Sequence, residues 1–129
     1  MLKAMIIDGN AVSRGLLNTV LTEGGYEVVA QSHVAHMGLV LMHKFKPQLL
    51  CIARDQMEDA ENIVEQVREQ LPKTIIFLVS GAIDAPTLQA ALARGVQGFI
   101  VKPFKADAVL KTIRNTVIAT VRKQQQPEG

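Results

Sequence analysis

Five short apolar runs punctuate the chain: Lys3–Asp8, Glu27–Gln31, Gln48–Ala53, Thr74–Val79 and Gln97–Val101. Several are nearly continuous in Ile, Val and Leu, the pattern of strands covered on both faces. Between them the apolar period lengthens to that of helices. Leu16, Leu17, Val20 and Leu21 form a stripe ended by Gly24-Gly25. Ser32 is placed to cap a second helix reaching Phe45, which Pro47 stops, and Ile63, Val64, Val67 and Leu71 mark a third, stopped by Pro72. Asp84 is placed to cap a fourth, with Pro86 in its first turn and Leu88, Ala91 and Leu92 facing inward. Leu110, Ile113, Val117 and Val121 mark a fifth. Strict alternation of strand and helix predicts right-handed crossovers and a doubly wound five-stranded parallel sheet between two helix layers, an α/β/α sandwich. A single domain is expected over 1–122, with 123–129 as an aperiodic, frayed tail.

In a sheet of this kind, sites form outside the carboxyl ends of the strands. The first run ends at Asp8-Gly9, the third at Ala53, the fourth at Ser80-Gly81 and the fifth at Lys102-Pro103. One carboxylate, one methyl, one hydroxyl and one ammonium therefore converge. The third run, "LLCIARDQ", stops at a methyl group, and its first carboxylate, Asp55, arrives two residues later. Lys102-Pro103 is also a candidate for a cis peptide.

Composition narrows the function classes. The 129 residues suffice for one domain with a real core and are too few for two. A net charge of +2 does not imply a nucleic-acid partner. The single cysteine, Cys51, excludes an internal disulfide and reads as core packing. No apolar run approaches the ~20 residues of a membrane span and the amino terminus lacks a signal-peptide pattern, so a cytoplasmic location is expected. His33 and His36 are spaced to touch one metal but lack a third ligand, and His36 and His43 lie about 10 Å apart by helix rise. All three are expected to face solvent. Met37, Met42 and Met57 read as core or loop filler. Glu58, Asp59, Glu61, Glu65 and Glu69 read as a solvated face of the third helix, and Lys105, Lys111, Arg114, Arg122 and Lys123 as one of the fifth.

The segments "MIIDGN", "KPQLLCIA", "IIFLVSG" and above all "ARGVQGFIVKPF" occur in an order that resembles the receiver domain of two-component response regulators, from about Leu2 to Thr120. The resemblance implies a flavodoxin-like sheet in the order 2-1-3-4-5. It implies a signalling module rather than an enzyme, one that takes a phosphoryl group from a histidine kinase onto an aspartate with the help of magnesium. Carried over residue by residue, the family's acidic pair falls on Asp8 and Gly9, and its phosphoacceptor on Ala53. Its hydroxyl switch residue falls on Ser80, its aromatic switch residue on Phe99, and its lysine on Lys102. A methyl group has no lone pair with which to attack phosphorus. Magnesium requires an octahedral shell of oxygens, supplied here by little more than Asp8. Magnesium binding is therefore expected to be lost, with no cofactor in its place, and Asp8 is expected to pair with Lys102.

The expectation is thus a degenerate receiver-like module, not phosphorylated, that works by protein–protein contact. Two alternatives remain: a working phosphorelay receiver using Asp55 or Asp8, and a sensor holding a small ligand in the neutralised pocket. In receivers, contacts are made by the face of the fourth helix, fifth strand and fifth helix. That face here presents Gln89, Ala90, Ala93, Lys111 and Ile118 to a protein partner or a second copy. Leu39 and Val40, on the outer side of the second helix, form a rival patch.

Overall fold

The computed structural model describes residues 1–59 and 62–125. The chain alternates β1 (Lys3–Ile7), α1 (Ala11–Glu23), β2 (Glu27–Ser32), α2 (Ala35–Phe45), β3 (Leu49–Ala53), α3 (Arg54–Asp59), α4 (Ile63–Gln70), β4 (Ile75–Ser80), α5 (Ala85–Arg94), β5 (Gly98–Val101) and α6 (Ala106–Gln125). All strand pairs are parallel, and the sheet order is β2-β1-β3-β4-β5.

Side-chain alternation along the central strands builds two cores. Met5, Ile7, Leu50, Ile52, Ile76 and Leu78 point to one side, where Met42 of α2, Val64 and Val67 of α4 and Ala91 of α5 cover them. Ala4, Ile6, Leu49, Cys51, Phe77 and Val79 point to the other, under Leu17 and Leu21 of α1 and Ile113 of α6. Every residue of β3 and β4 is buried, which explains their uninterrupted apolar sequences. The local signals at the start of α5 work as read: the Asp84 side chain accepts the Thr87 N–H at 2.8 Å and Pro86 lies in the first turn. Gly95, which the sequence reading did not single out, closes the helix at φ 115°.

Several expectations are corrected. Ser32 does not cap α2. It is the last residue of β2, and its hydroxyl bonds both the N–H and the C=O of Val34, which is the N-cap. Residues 54–59 form a separate short helix, α3, so Glu58 does not share one helix face with Glu65 and Glu69, which stand on α4. Leu16 and Leu92 are 55% and 44% exposed, because each lies about 100° around its helix from an inward neighbour, Leu17 and Ala91. Val121 is also exposed, since twenty-residue α6 outruns the four-residue strand β5 beneath it. Met37 is exposed, whereas Met42 and Met57 are buried as read; Leu39, placed on the outer side of α2, is partly buried against the core. The tail expected from 123 begins later: α6 continues to Gln125, with Arg122 and Lys123 favourably placed at its negative end. Residues 126–129, Glu61 and the Asp59 side chain lie outside the described residues.

Candidate functional site

The ends of β1, β3, β4 and β5 bring Asp8, Ala53, Ser80 and Lys102 to the carboxyl edge of the sheet. Asp8 directly follows β1 and is only 4% exposed. One carboxylate oxygen accepts the Asn10 N–H at 2.9 Å, and the other lies 3.4 Å from Lys102 Nζ. Lys102 is held in turn by its main chain, whose N–H donates to the Ser80 carbonyl at 2.8 Å, just before a cis bond to Pro103. Ser80 ends β4 with its residue 7% exposed. Ala53 ends β3 in register with Val79, and its methyl is buried. Asp55 does not end that strand. It stands in the first turn of α3, exposed to solvent.

Three contacts at this edge escaped the sequence reading. Arg14, in the first turns of α1, donates to the Asp8 carbonyl at 2.6 Å and adds a second cation to the pocket wall. Gln56 occupies the space beside Gly9: a Cβ on Gly9 would lie 3.1 Å from Gln56 Nε2 and 3.6 Å from an Asp55 carboxylate oxygen. Arg54, directly after the buried methyl, pairs with Glu58 at 2.9 Å and donates to the Thr87 hydroxyl at 3.3 Å, tying the end of β3 to the start of α5. Hydrogen bonds from Thr87, the nearby Arg54 charge adding to them, hold the Asp84 carboxyl below its usual range. Apart from the i,i+4 spacing of Arg54 and Glu58, no local motif announces these contacts, because they join residues whose proximity is created by the fold.

Phe99 is half-buried against the core that α2, α4 and α5 cover. His33, His36 and His43 are all exposed, and among the described residues no group of three His, Cys, Asp or Glu side chains is gathered to hold a metal ion. Cys51 is fully enclosed in the opposite core, where burial pushes its thiol up to about 12. Gln89, Ala90, Ala93, Lys111 and Ile118 are all exposed, on α5 and α6. Among the described residues no helix is long and apolar enough to cross a membrane.

Comparison with known proteins places these observations in context. The model of one family, the response regulator receiver domain, matches residues 4–114. The chemotaxis protein CheY of Listeria monocytogenes is 30% identical over 118 residues, covering 88% of this chain and 96% of that protein. The response regulator protein VraR of Staphylococcus saprophyticus is 25% identical over 118 residues, and the match spans 56% of its length. Among solved structures, the chemotaxis response regulator CheY4 of Vibrio cholerae superposes with a TM-score of 0.80 at 24% identity, covering 90% of this chain and 98% of that one. The likeness in structure is one of fold.

Proposed function

Because the chain belongs to the response regulator receiver domain family, we propose that it is a two-component signalling module that transmits by protein–protein contact and does not accept a phosphoryl group. The observation that carries this reading is Ala53, a buried methyl at the carboxyl end of central β3, where the family's pattern puts its phosphoacceptor. A methyl offers no nucleophile. Its neighbourhood supports the same reading. The buried carboxylate, Asp8, is engaged by the Asn10 N–H and by Lys102, and beside Gly9 the Gln56 amide stands nearer than the exposed Asp55 carboxylate.

Magnesium, which the family's chemistry employs, does not fit this donor set. A hard dication seeks several oxygens, and Asp8 already answers one ammonium, with the Arg14 guanidinium on its carbonyl. Lys102, which elsewhere in the family serves chemistry, acts here as a counter-ion to Asp8 and ties β5 to β1. The α5–β5–α6 edge supplies the contact surface in this reading. It presents the uncharged Gln89, Ala90 and Ala93 together with exposed Leu92, Val101 and Ile118.

Exposure to a small phosphodonor with magnesium, followed by intact-mass measurement, tests the proposal. The expected result is an unchanged mass; a stoichiometric phosphoryl adduct refutes it. One observation favours a second reading. The exposed Asp55 carboxylate reaches to within 3.6 Å of the position a Gly9 side chain would take, at the mouth of the pocket. If an adduct forms and Asp55→Asn abolishes it, the chain is a phosphorelay receiver that uses Asp55.

A further inference from the structure

Arg68 and Arg94 sit at the same corner of the fold with different satisfaction. Arg94 gives Nε and Nη2 to the two oxygens of Glu65, at 2.9 and 3.0 Å, a side-on bidentate pair. Arg68, in the last turn of α4, makes one long contact, from Nη1 to the Pro72 carbonyl at 3.4 Å. Its Nε and Nη2 are buried and, among the described residues, have no acceptor. These are the two donors along one edge of the guanidinium that match a carboxylate. Leaving charged donors buried and unmatched is costly, so the corner is poised to gain from an acceptor.

The surroundings fit that role. The Arg68 stem lies on Gly95, where a Cβ would come within 2.7 Å of its Cγ, and the φ of 115° there disfavours any side chain. Arg68 lines an open groove of about 630 Å³, along with Leu92, Val96, Asn115, Ala119 and Lys123. Among the described residues the lining holds two cations and no acid. Exposed Ile118 and Val121 continue the apolar surface on α6, whose outer side also bears exposed Lys111, Arg114 and Arg122. A second copy brought symmetrically, α6 against α6, would meet like charge, whereas an acidic partner is attracted to this helix.

We propose that this groove docks an acidic side chain of a protein partner, with the carboxylate taken by Nε and Nη2 of Arg68 and apolar neighbours of that residue laid against Leu92 and Ala119. The inference rests on the reading that the chain signals by protein contact along α5, β5 and α6. Because Nε and Nη2 are covered where the stem lies on Gly95, docking requires the guanidinium to swing outward, and the only hydrogen bond it gives up among the described residues is the long one from Nη1 to Pro72.

The test is selection from a random-peptide display library on the full chain, followed by binding titrations of the selected peptide. Titrations use the wild type, Arg68→Lys, Ile118→Glu and Val40→Glu, with folding of each checked by melting. Arg68→Lys keeps the charge and the stem and removes the fork. The expected peptides share an Asp or Glu among apolar residues. Arg68→Lys should weaken them about tenfold or more, the scale of hydrogen bonds to a charged group. Changing the peptide's acid to its amide should cost the wild type at least that factor and cost Arg68→Lys clearly less, because only the retained charge, and not the fork, then holds the acid. Failure to enrich any peptide, peptides without a shared acid, or undiminished binding to Arg68→Lys each overturn the proposal. Binding abolished by Ile118→Glu but unchanged in Arg68→Lys removes the groove while leaving the contact face standing. Binding abolished only by Val40→Glu removes both. Self-association that Arg68→Lys abolishes, with no peptide enriched, assigns the groove to a second copy and overturns the proposal as well.

Discussion

The Oε1 of Gln56 accepts the Ala35 N–H at 3.0 Å, linking α3 to the first turn of α2 across 21 positions of sequence. α2 starts from Val34, which has no side chain capable of capping it, and the buried Ser32 hydroxyl is occupied by Val34 itself. The same Gln56 amide points Nε2 toward the empty side of Gly9. One residue thus closes a helix start and fills the position next to Asp8, so the geometry of the pocket and the seating of α2 are coupled.

Gln56→Ala should therefore destabilise the protein by about 1 kcal/mol, the usual cost of losing a helix cap. Gln56→Glu keeps the acceptor and adds negative charge at a helix N-terminus, so it should lie close to the wild type. Urea unfolding of the three proteins measures this. Equal losses in both variants would show that the cap contributes nothing.

Millimolar magnesium should leave the melting temperature of the wild type unchanged. Gly9→Asp and Ala53→Asp together should crowd two new carboxylates near Asp8 and lower the metal-free melting temperature through like-charge repulsion. Magnesium should then restore it saturably. A wild type stabilised by magnesium, or a double variant indifferent to it, contradicts the account of the pocket.

The Arg94 hydrogen bonds hold the Glu65 carboxyl below its ordinary value of 4.5. A carboxylate with a depressed folded-state pKa stabilises the fold at pH values above the unfolded one and loses that contribution as pH falls through the folded one. Stability should thus decline in acid below about pH 4.5, and Glu65→Gln should flatten part of that decline while lowering stability at neutral pH. The effect should be small, because the pair is partly solvated. An identical acid limb in both proteins would show the pair to be silent.

Cys51 is 1% exposed at the centre of β3, with its thiol pushed up to about 12. At pH 8 a thiol reagent should modify the native protein only as fast as it opens, and modify the urea-unfolded chain at once. Rapid labelling of the native protein would mean that β3 is far less enclosed than described.

Much of the architecture was legible along the chain because its causes are local. "LLCIA" and "IIFLV" are apolar without interruption, and both strands are buried on two faces. Asp84 and Pro86 set the start of α5 within a few residues of where they act. That β3 ends in the methyl of Ala53 was readable for the same reason: a strand's end and the residue occupying it are adjacent facts. Helix faces were legible only approximately. A stripe identifies the buried side, yet a residue 100° away, such as Leu92, is assigned by the neighbour it meets and not by its own polarity.

The amino-acid sequence by itself determined the alternation of strands and helices, the convergence of Asp8, Ala53, Ser80 and Lys102, and the absence of a nucleophile at position 53. Those follow from short-range periodicity and from the rule that parallel strands present their carboxyl ends together. Tertiary structure alone decided that Arg14 reaches the Asp8 carbonyl, that Gln56 caps α2, and that Glu65 satisfies the fork of Arg94 while, among the described residues, the fork of Arg68 goes unmatched. Long polar side chains carry no period, and their partners are chosen by which backbone groups the packed elements leave unsatisfied within reach.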